Sequence, residues 1–367
     1  MALLSYTTIV ALFTCFFMAG TKRKSPCGPD PYIDPNRYNR AFIVLLVAVL
    51  IVAEGFRHGY EDTGNYKGLY NDVTDNVRLL LSTSSHPGWD LIQWLLRRIS
   101  KHSQFICIAM AGFFTIADVW FIRRHAFSFP FSLCLYFLVS FVENLNGLRQ
   151  LCAAVFLLFA FPLACERKYV RYIAVILLLS TIHRTILVIV PLSLLFMGKR
   201  WNKGIILFLL FCAFSVLVPG PINALIGAFA SDDYSRYLYI YNSGADALHV
   251  VVDAVPLIMG LIYHVRHREN VGENRAIDVL INMQAISFGF MLLATRMAQY
   301  ARIGAYMRHS TVLLVPFLIS RLFRGKHKLI AILCAIMFYL IKFILENYLH
   351  ARTGSFDSFY LDFSILQ

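Results

Sequence analysis

The stretch Gly55–Tyr66, GFRHGYEDTGNY, gathers Arg57, His58, Glu61, Asp62, Tyr60 and Tyr66 within twelve glycine-broken residues, directly after the apolar run 41–53. Carboxylates and imidazoles can take or give protons, and an arginine fork suits oxyanions. An interfacial collar also uses Tyr and Arg. Irregular polar backbone beside a membrane is tolerated chiefly where it lines a cavity, which favours a site. Similar groups recur elsewhere. Asn144, Asn146, Gly147, Arg149 and Gln150 separate two apolar runs, and His86-Pro87-Gly88 opens an amphipathic segment. His183-Arg184 interrupts an apolar run, and Tyr234, Arg236 and Tyr237 lie in a long polar loop. Arg296, Arg302, Tyr306, Arg308 and His309 cluster between two further runs.

Arg149 has the sharpest reading. Asn146-Gly147 breaks the chain and Arg149-Gln150 opens the next apolar run. A helix start offers free N–H groups and a positive dipole end, and the guanidinium adds a planar fork for phosphate oxygens. Arg302, Tyr306 and His309, at i, i+4 and i+7, are expected to share a helix face. Arg308 and His309 would lie within apolar depth, where ionisable groups are costly and functional by default. Against these stand blander uses: Arg296 as a snorkelling anchor, and Tyr237 and Tyr239 as belt residues. The set describes an outward-facing pocket with several Arg, aromatic rings and a carboxylate or two. It suits a large, anionic, lipid-attached substrate rich in hydroxyls. No HExxH, GxSxG, Walker A or haem motif is present, and no metal cluster is evident.

The elements that hold these residues are membrane helices. The 367-residue chain is 58% hydrophobic with mean hydropathy +0.62, the composition of a polytopic membrane protein. Apolar runs lie at 2–20, 41–56, 103–122, 126–143, 148–165, 172–198, 204–220, 249–265, 276–294, 302–320 and 329–349. The net charge is +13, but 20 of the 34 Lys and Arg sit in the short connections 21–40, 123–125, 166–171, 199–203, 266–275 and 321–328. That is a topology signal placing those segments in the cytoplasm, and it excludes a nucleic-acid partner, which needs clustered charge. The run 172–198 is basic at both ends, so it reads as a re-entrant helix pair turning at His183-Arg184. The pattern predicts an all-α polytopic protein of ten transmembrane helices plus that pair, with 1–367 a single integral membrane domain and both termini outside. Segments 57–102 and 221–248 are expected outside, the former with an amphipathic helix built on Trp89, Ile92, Trp94 and Leu96. The positive charges Lys22-Arg23-Lys24 follow the first run, so it reads as a span and not a cleaved signal. Eight cysteines without a CxxC read as buried structural thiols.

The chain resembles EpsG-like proteins, Wzy-type polysaccharide polymerases of bacterial envelopes. Arg57 with Asp62 and Tyr66, Pro87-Gly88, Asn146-Gly147-Leu148-Arg149-Gln150, Ile182-His183 leading to Val190-Pro191-Leu192, and Arg302-Ile303 with Tyr306 and Pro316 follow in the family's order. The resemblance covers about residues 40 to 320, and the GLRQ before a span is its sharpest part. Two departures stand out. Glu61-Asp62-Thr63-Gly64 replaces a Gly-Thr-Asp segment, and His86 stands where many members carry Glu.

The resemblance implies a bacterial inner-membrane enzyme with a C-type glycosyltransferase-like fold. It would join oligosaccharide repeat units carried on undecaprenyl diphosphate at the periplasmic face, in O-antigen or exopolysaccharide synthesis. The lipid bilayer and a chain-length regulator are the implied partners, and no metal or other cofactor is implied. Cations must stabilise the leaving diphosphate, for which Arg149 and Arg302 are first choices and Arg57 and Arg236 helpers. A base must take a proton from the acceptor hydroxyl, with Asp62 first and His183 second. An arginine close by, such as Arg57, would hold Asp62 ionised. Tyr66 and Tyr306 would hold sugars, with Gln150 beside them. Two rivals use similar residues. A lipid-linked oligosaccharide flippase would gather Arg in a cavity but more often shows two related halves. An envelope O-acyltransferase would use an intramembrane His but needs an acyl donor from the cytoplasm.

Overall fold

The computed structural model describes residues 2–20, 39–218, 247–307, 309–352, 357 and 359–366. Apolar segments without water must bond their backbone internally, and the described chain is accordingly helical. Helices α1 (Ala2–Gly20) and α2 (Arg40–Gly55) come first, and the Asn39 side chain caps α2 by accepting from the Ala41 N–H at 3.0 Å. Three short helices follow, α3 (Thr63–Asn71), α4 (Val77–Thr83) and α5 (Pro87–Ile99), the last with proline in its first turn. Then come α6 (Gln104–His125), α7 (Phe129–Ser140), α8 (Leu148–Leu158) and α9 (Phe161–Cys165). The rest are α10 (Tyr169–Leu179), α11 (Ile189–Phe196), α12 (Lys203–Leu217), α13 (Ala247–Arg266), α14 (Arg275–Ala294), α15 (Gln299–Gly304), α16 (His309–Leu322) and α17 (Gly325–Arg352). Among the described residues no strand forms, and one isolated antiparallel bridge joins Arg57 to Leu361.

Among the described residues, five helical stretches are long and apolar enough to cross a membrane: Ala2–Ala19, Gln104–His125, Leu248–Arg266, Arg275–Ala294 and Gly325–Tyr348. A sixth appears if Gln299–Met307 and His309–Leu322, which meet at 54°, count as one broken span. Ten full-length spans were expected, and the other runs yield shorter helices for visible reasons. Run 126–143 shrinks to the twelve residues of α7, and run 148–165 breaks after Leu158 ahead of Pro162. The outward side chains of α17, among them Leu329, Leu333, Met337, Ile341 and Ile344, are apolar and exposed, as a lipid-facing helix requires. Of the seven described cysteines, five are buried free thiols, while Cys165 is half-buried and Cys334 is exposed on α17.

The chain forms two compact units. The first holds Met1–Phe159, Val175–Ile186 and Gly325–Gln367. Its centre is α6, packed against α2, α3, α5, α7 and α8, while α17 packs on α7 through Phe343 and Phe137 at 5.4 Å. The second unit holds Ala160–Ala174 and Leu187–Arg324. There α14 is central, meeting α9, α11, α12, α13, α15 and α16.

In the second unit the two ends of the run 172–198 meet. Arg167 Nε donates to the Met197 carbonyl at 2.9 Å, and the Tyr172 and Phe196 rings meet edge to face at 5.9 Å. The basic turn that follows is locked to α14. Arg200 and Asp278 form a buried ion pair at 2.9 Å, and Asn282 Nδ2 donates to the Lys199 carbonyl at 3.1 Å. Arg200 also donates to the carbonyls of His267 and Asn270, so connections 199–203 and 266–275 share one end of this unit.

Candidate functional site

In the first unit the mouth of α2 is built around a buried guanidinium. Arg57 is 1% exposed. Its Nε donates to Thr63 Oγ1 at 3.0 Å, Nη1 to the Glu54 carbonyl, and Nη2 to the Leu145 carbonyl at 3.1 Å. Gln104 Nε2 donates to the carbonyls of Gly55 and Arg57 at 2.7 and 2.9 Å, closing the turn from α6. Below it lies a buried polar group. Glu54 accepts from Thr115 Oγ1 at 3.3 Å and Asn144 Nδ2 at 3.4 Å, Asn144 Nδ2 also donates to Tyr136 Oη at 2.9 Å, and Asp118 on α6 is fully buried nearby in sequence to Thr115. Arg57 and Asn144 thus tie the end of α2 to the turn before α8.

That turn aims Arg149. Gly147 sits at φ +66°, the left-handed region that glycine enters without strain, and α8 starts at the next residue. Arg149 is half-buried, and its Nε is buried without a hydrogen-bond partner among the described residues. Its backbone N–H points to Tyr66 Oη at 3.5 Å. Burial pushes the Tyr66 phenol above its ordinary range, and the Arg149 cation pulls it part of the way back. Edge to face with Tyr66, at 5.8 Å between centroids, stands the buried Trp89 of α5. Gln150, 9% exposed, follows in the same helical turn.

Three residues before Trp89, His86 meets His183. The rings are near parallel, 26° apart with centroids at 6.3 Å. The backbone makes the approach: Gly88 N–H donates to the Thr181 carbonyl at 3.0 Å, and a Cβ on Gly88 would stand 2.3 Å from Thr181 Oγ1. Tyr66, Trp89, Arg149, His86 and His183 are therefore linked by successive contacts drawn from four separate segments of the first unit.

Asp62 is half-buried at the N-cap of α3 and makes no side-chain cap bond. The three guanidinium nitrogens of Arg57 go to Thr63, Glu54 and Leu145, so the expected Asp62–Arg57 pairing gives way to backbone clamping. In the second unit, Arg302 is exposed at the end of α15 while Tyr306 and His309 are buried. The unbroken helix that their expected common face presupposes does not form: a 3-10 turn and a 54° bend separate α15 from α16. Arg296 donates from Nε to the Val216 carbonyl at 2.7 Å, an anchoring contact. Arg236, Arg308, Tyr234, Tyr237, Tyr239 and most of 221–248 lie outside the described residues. Four residues of the first unit that spacing did not single out as site residues are Glu54, Thr63, Trp89 and Asp118. An acid inside each of the apolar runs 41–56 and 103–122 was the available signal for two of them.

No curated protein and no solved structure was found to match the chain. The family model described as the EpsG family matches residues 40–360, which spans both the Arg57 clamp and the Arg149 turn. The chain therefore belongs to the EpsG family.

Proposed function

We propose that this protein is a polysaccharide polymerase that joins lipid-diphosphate-linked oligosaccharide units. The reading rests on one arrangement in a chain of this family: Arg149 in the first turn of α8, behind left-handed Gly147, with Tyr66 and Trp89 in contact beside it. A glycosyl diphosphate donor loses a diphosphate as its anomeric C–O bond breaks. The guanidinium fork and the positive dipole end of α8 are suited to that developing charge. The aromatic pair offers faces and an edge for sugar rings. Arg57 is a positioning residue in this scheme, since its three donors hold backbone and Thr63. Asp62 or His183 takes the proton of the acceptor hydroxyl. Gln150, Arg302, Tyr306 and Arg236 are assigned to substrate binding.

The rest of the reading follows from the charge pattern and the family. The donor lipid is undecaprenyl diphosphate, the membrane is the bacterial inner membrane, and the site faces the periplasm. Ten spans and a re-entrant pair in a C-type glycosyltransferase-like fold carry it, the pair being α10 and α11, whose bases meet at Arg167 and Met197. A chain-length regulator is the protein partner.

The test is chain growth on radiolabelled lipid-linked repeat units by membranes containing the full chain. Arg149→Lys keeps charge but loses the fork, and Arg149→Ala loses both. Each should abolish or severely shorten polymer while abundance stays near normal. A fully active Arg149→Ala protein removes the diphosphate site. A flippase would translocate the labelled lipid without extending it, and an acyltransferase would modify it without lengthening.

A further inference from the structure

Two histidines far apart in sequence, His86 and His183, stand side by side in the first unit, with near-parallel rings 6.3 Å apart. Several contacts fix them there. His86 precedes Pro87 at the N-cap of α5, and its N–H donates to Ser84 Oγ at 2.9 Å. Ser84 in turn donates to the Asp90 carboxylate, and the Asp90 N–H donates to the His86 carbonyl at 3.0 Å. His183 ends the turn after α10, with its N–H on the Leu179 carbonyl at 3.1 Å, and the Gly88–Thr181 bond pins the two turns together. A side chain at position 88 would collide with Thr181, so only glycine permits this approach. The turn that carries His86 also carries Trp89, which contacts Tyr66 beside Arg149.

We propose that His183 and His86 form a two-imidazole proton acceptor for glycosyl transfer, with His183 taking the proton and His86 acting through it. The inference rests on the polymerase reading and deepens it by choosing between its two candidate bases. In the step, the acceptor hydroxyl oxygen forms a bond to the donor's anomeric carbon. Its proton passes to His183. The bond from that carbon to the diphosphate oxygen breaks, and the electron pair leaves with the diphosphate. His183 then passes the proton to His86 across a gap that a direct contact or one water closes, and from His86 it reaches solvent. His183 is thereby restored as a base for the next transfer. His86 is a positioning residue and His183 the catalytic one.

The experiment uses the full chain in membrane vesicles with radiolabelled undecaprenyl-diphosphate-linked repeat units. His183→Gln should lower turnover about 100-fold or more with KM near wild type, the scale of a lost general base. His86→Gln should lower turnover about 10-fold with KM unchanged, and the double variant should be no slower than His183→Gln, because residues acting as one unit are non-additive. Added imidazole should restore part of the turnover of His86→Ala, which a merely structural histidine would not show. Wild-type turnover in His86→Gln overturns the proposal, as do multiplied losses in the double variant or a dead Asp62→Asn beside an active His183→Gln. A second arm needs no activity. Cysteines at 86 and 183, in a chain without its native thiols, should be joined by a short bifunctional thiol-reactive reagent such as a bis-methanethiosulfonate, and failure to join overturns the pairing. A wild-type chain that leaves the labelled units unextended defeats the polymerase reading and the proton role with it, while cross-linking still reports the pair.

Discussion

Arg57 and Arg149 carry the same side chain and are put to different uses. Arg57 is 1% exposed and spends its donors on Thr63 Oγ1 and the carbonyls of Glu54 and Leu145. Removing it strands buried acceptors, each costing about 1–3 kcal/mol. Arg57→Ala should therefore cut abundance in the membrane and lower the unfolding temperature in detergent, and Arg57→Lys should recover little, since an ammonium cannot span the same three acceptors. Arg149→Ala should leave both measurements near wild type. An Arg57→Ala protein as stable as the parent would show that the clamp contributes nothing. The contrast also marks what the sequence made legible. Arg149 could be read because its signal is local, a glycine turn followed by a cation at the head of an apolar run. The contacts among Glu54, Asn144 and Tyr136 could not, because they join separate helices and no spacing rule encodes which helices meet. The break between Arg302 and His309 was not legible, because the i, i+4, i+7 rule assumes an unbroken helix and this one bends by 54°.

At the scale of elements, the site in the first unit is bordered by short pieces held by few bonds. The C-terminal segment is one of them. His58 N–H donates to the Tyr360 carbonyl at 2.7 Å and Asp362 N–H to the Phe56 carbonyl at 2.6 Å, with the His58 and Tyr360 rings stacked at 4.6 Å. Asp362 also meets His58 Nδ1 at 3.2 Å. The backbone N–H of Ser364, then its hydroxyl, His58 and Lys67, hold the Asp362 carboxyl down to about 2. A depressed carboxyl stabilises the docked segment fully above the ordinary Asp value of ~3.9 and loses that contribution as pH falls through about 2. Between pH 5 and 8 this group therefore changes nothing. Pepsin cleavage within 359–366 should rise in the wild type only as pH drops from about 4 toward 2, and Asp362→Asn should already be susceptible at pH 4. Equal cleavage of the two proteins at pH 4 would mean that the carboxylate does not hold the segment. This docking was not legible beforehand, since a single bridge leaves no strand periodicity to find.

For the whole molecule the governing constraint is the bilayer, and charge sets its orientation. The basic connections 199–203 and 266–275 were assigned to one side from their Lys and Arg alone. In the second unit they meet, through Arg200 on the carbonyls of His267 and Asn270. The run between the basic segments 166–171 and 199–203 returns to its start, with Arg167 bonded to Met197. A run that came out at the far end of a straight helix could not make that bond, since 27 helical residues would span about 40 Å. The charge pattern and this contact both support the proposed folded-back pair, and the proposal can be tested for sidedness. Single cysteines at the exposed positions Lys199, Glu269 and Asn65, in a chain without its native thiols, suit a membrane-impermeant reagent applied to intact cells. Positions 199 and 269 should stay unlabelled until the membrane is opened, and position 65, beside Tyr66, should label at once. If 199 and 269 label differently from each other, the two connections do not share a side and the folded-back pair is lost. If both label while 65 is protected, the pair stands but the orientation is reversed, and the Arg149 site would face the cytoplasm, where the proposed polymerase could not meet its translocated donor.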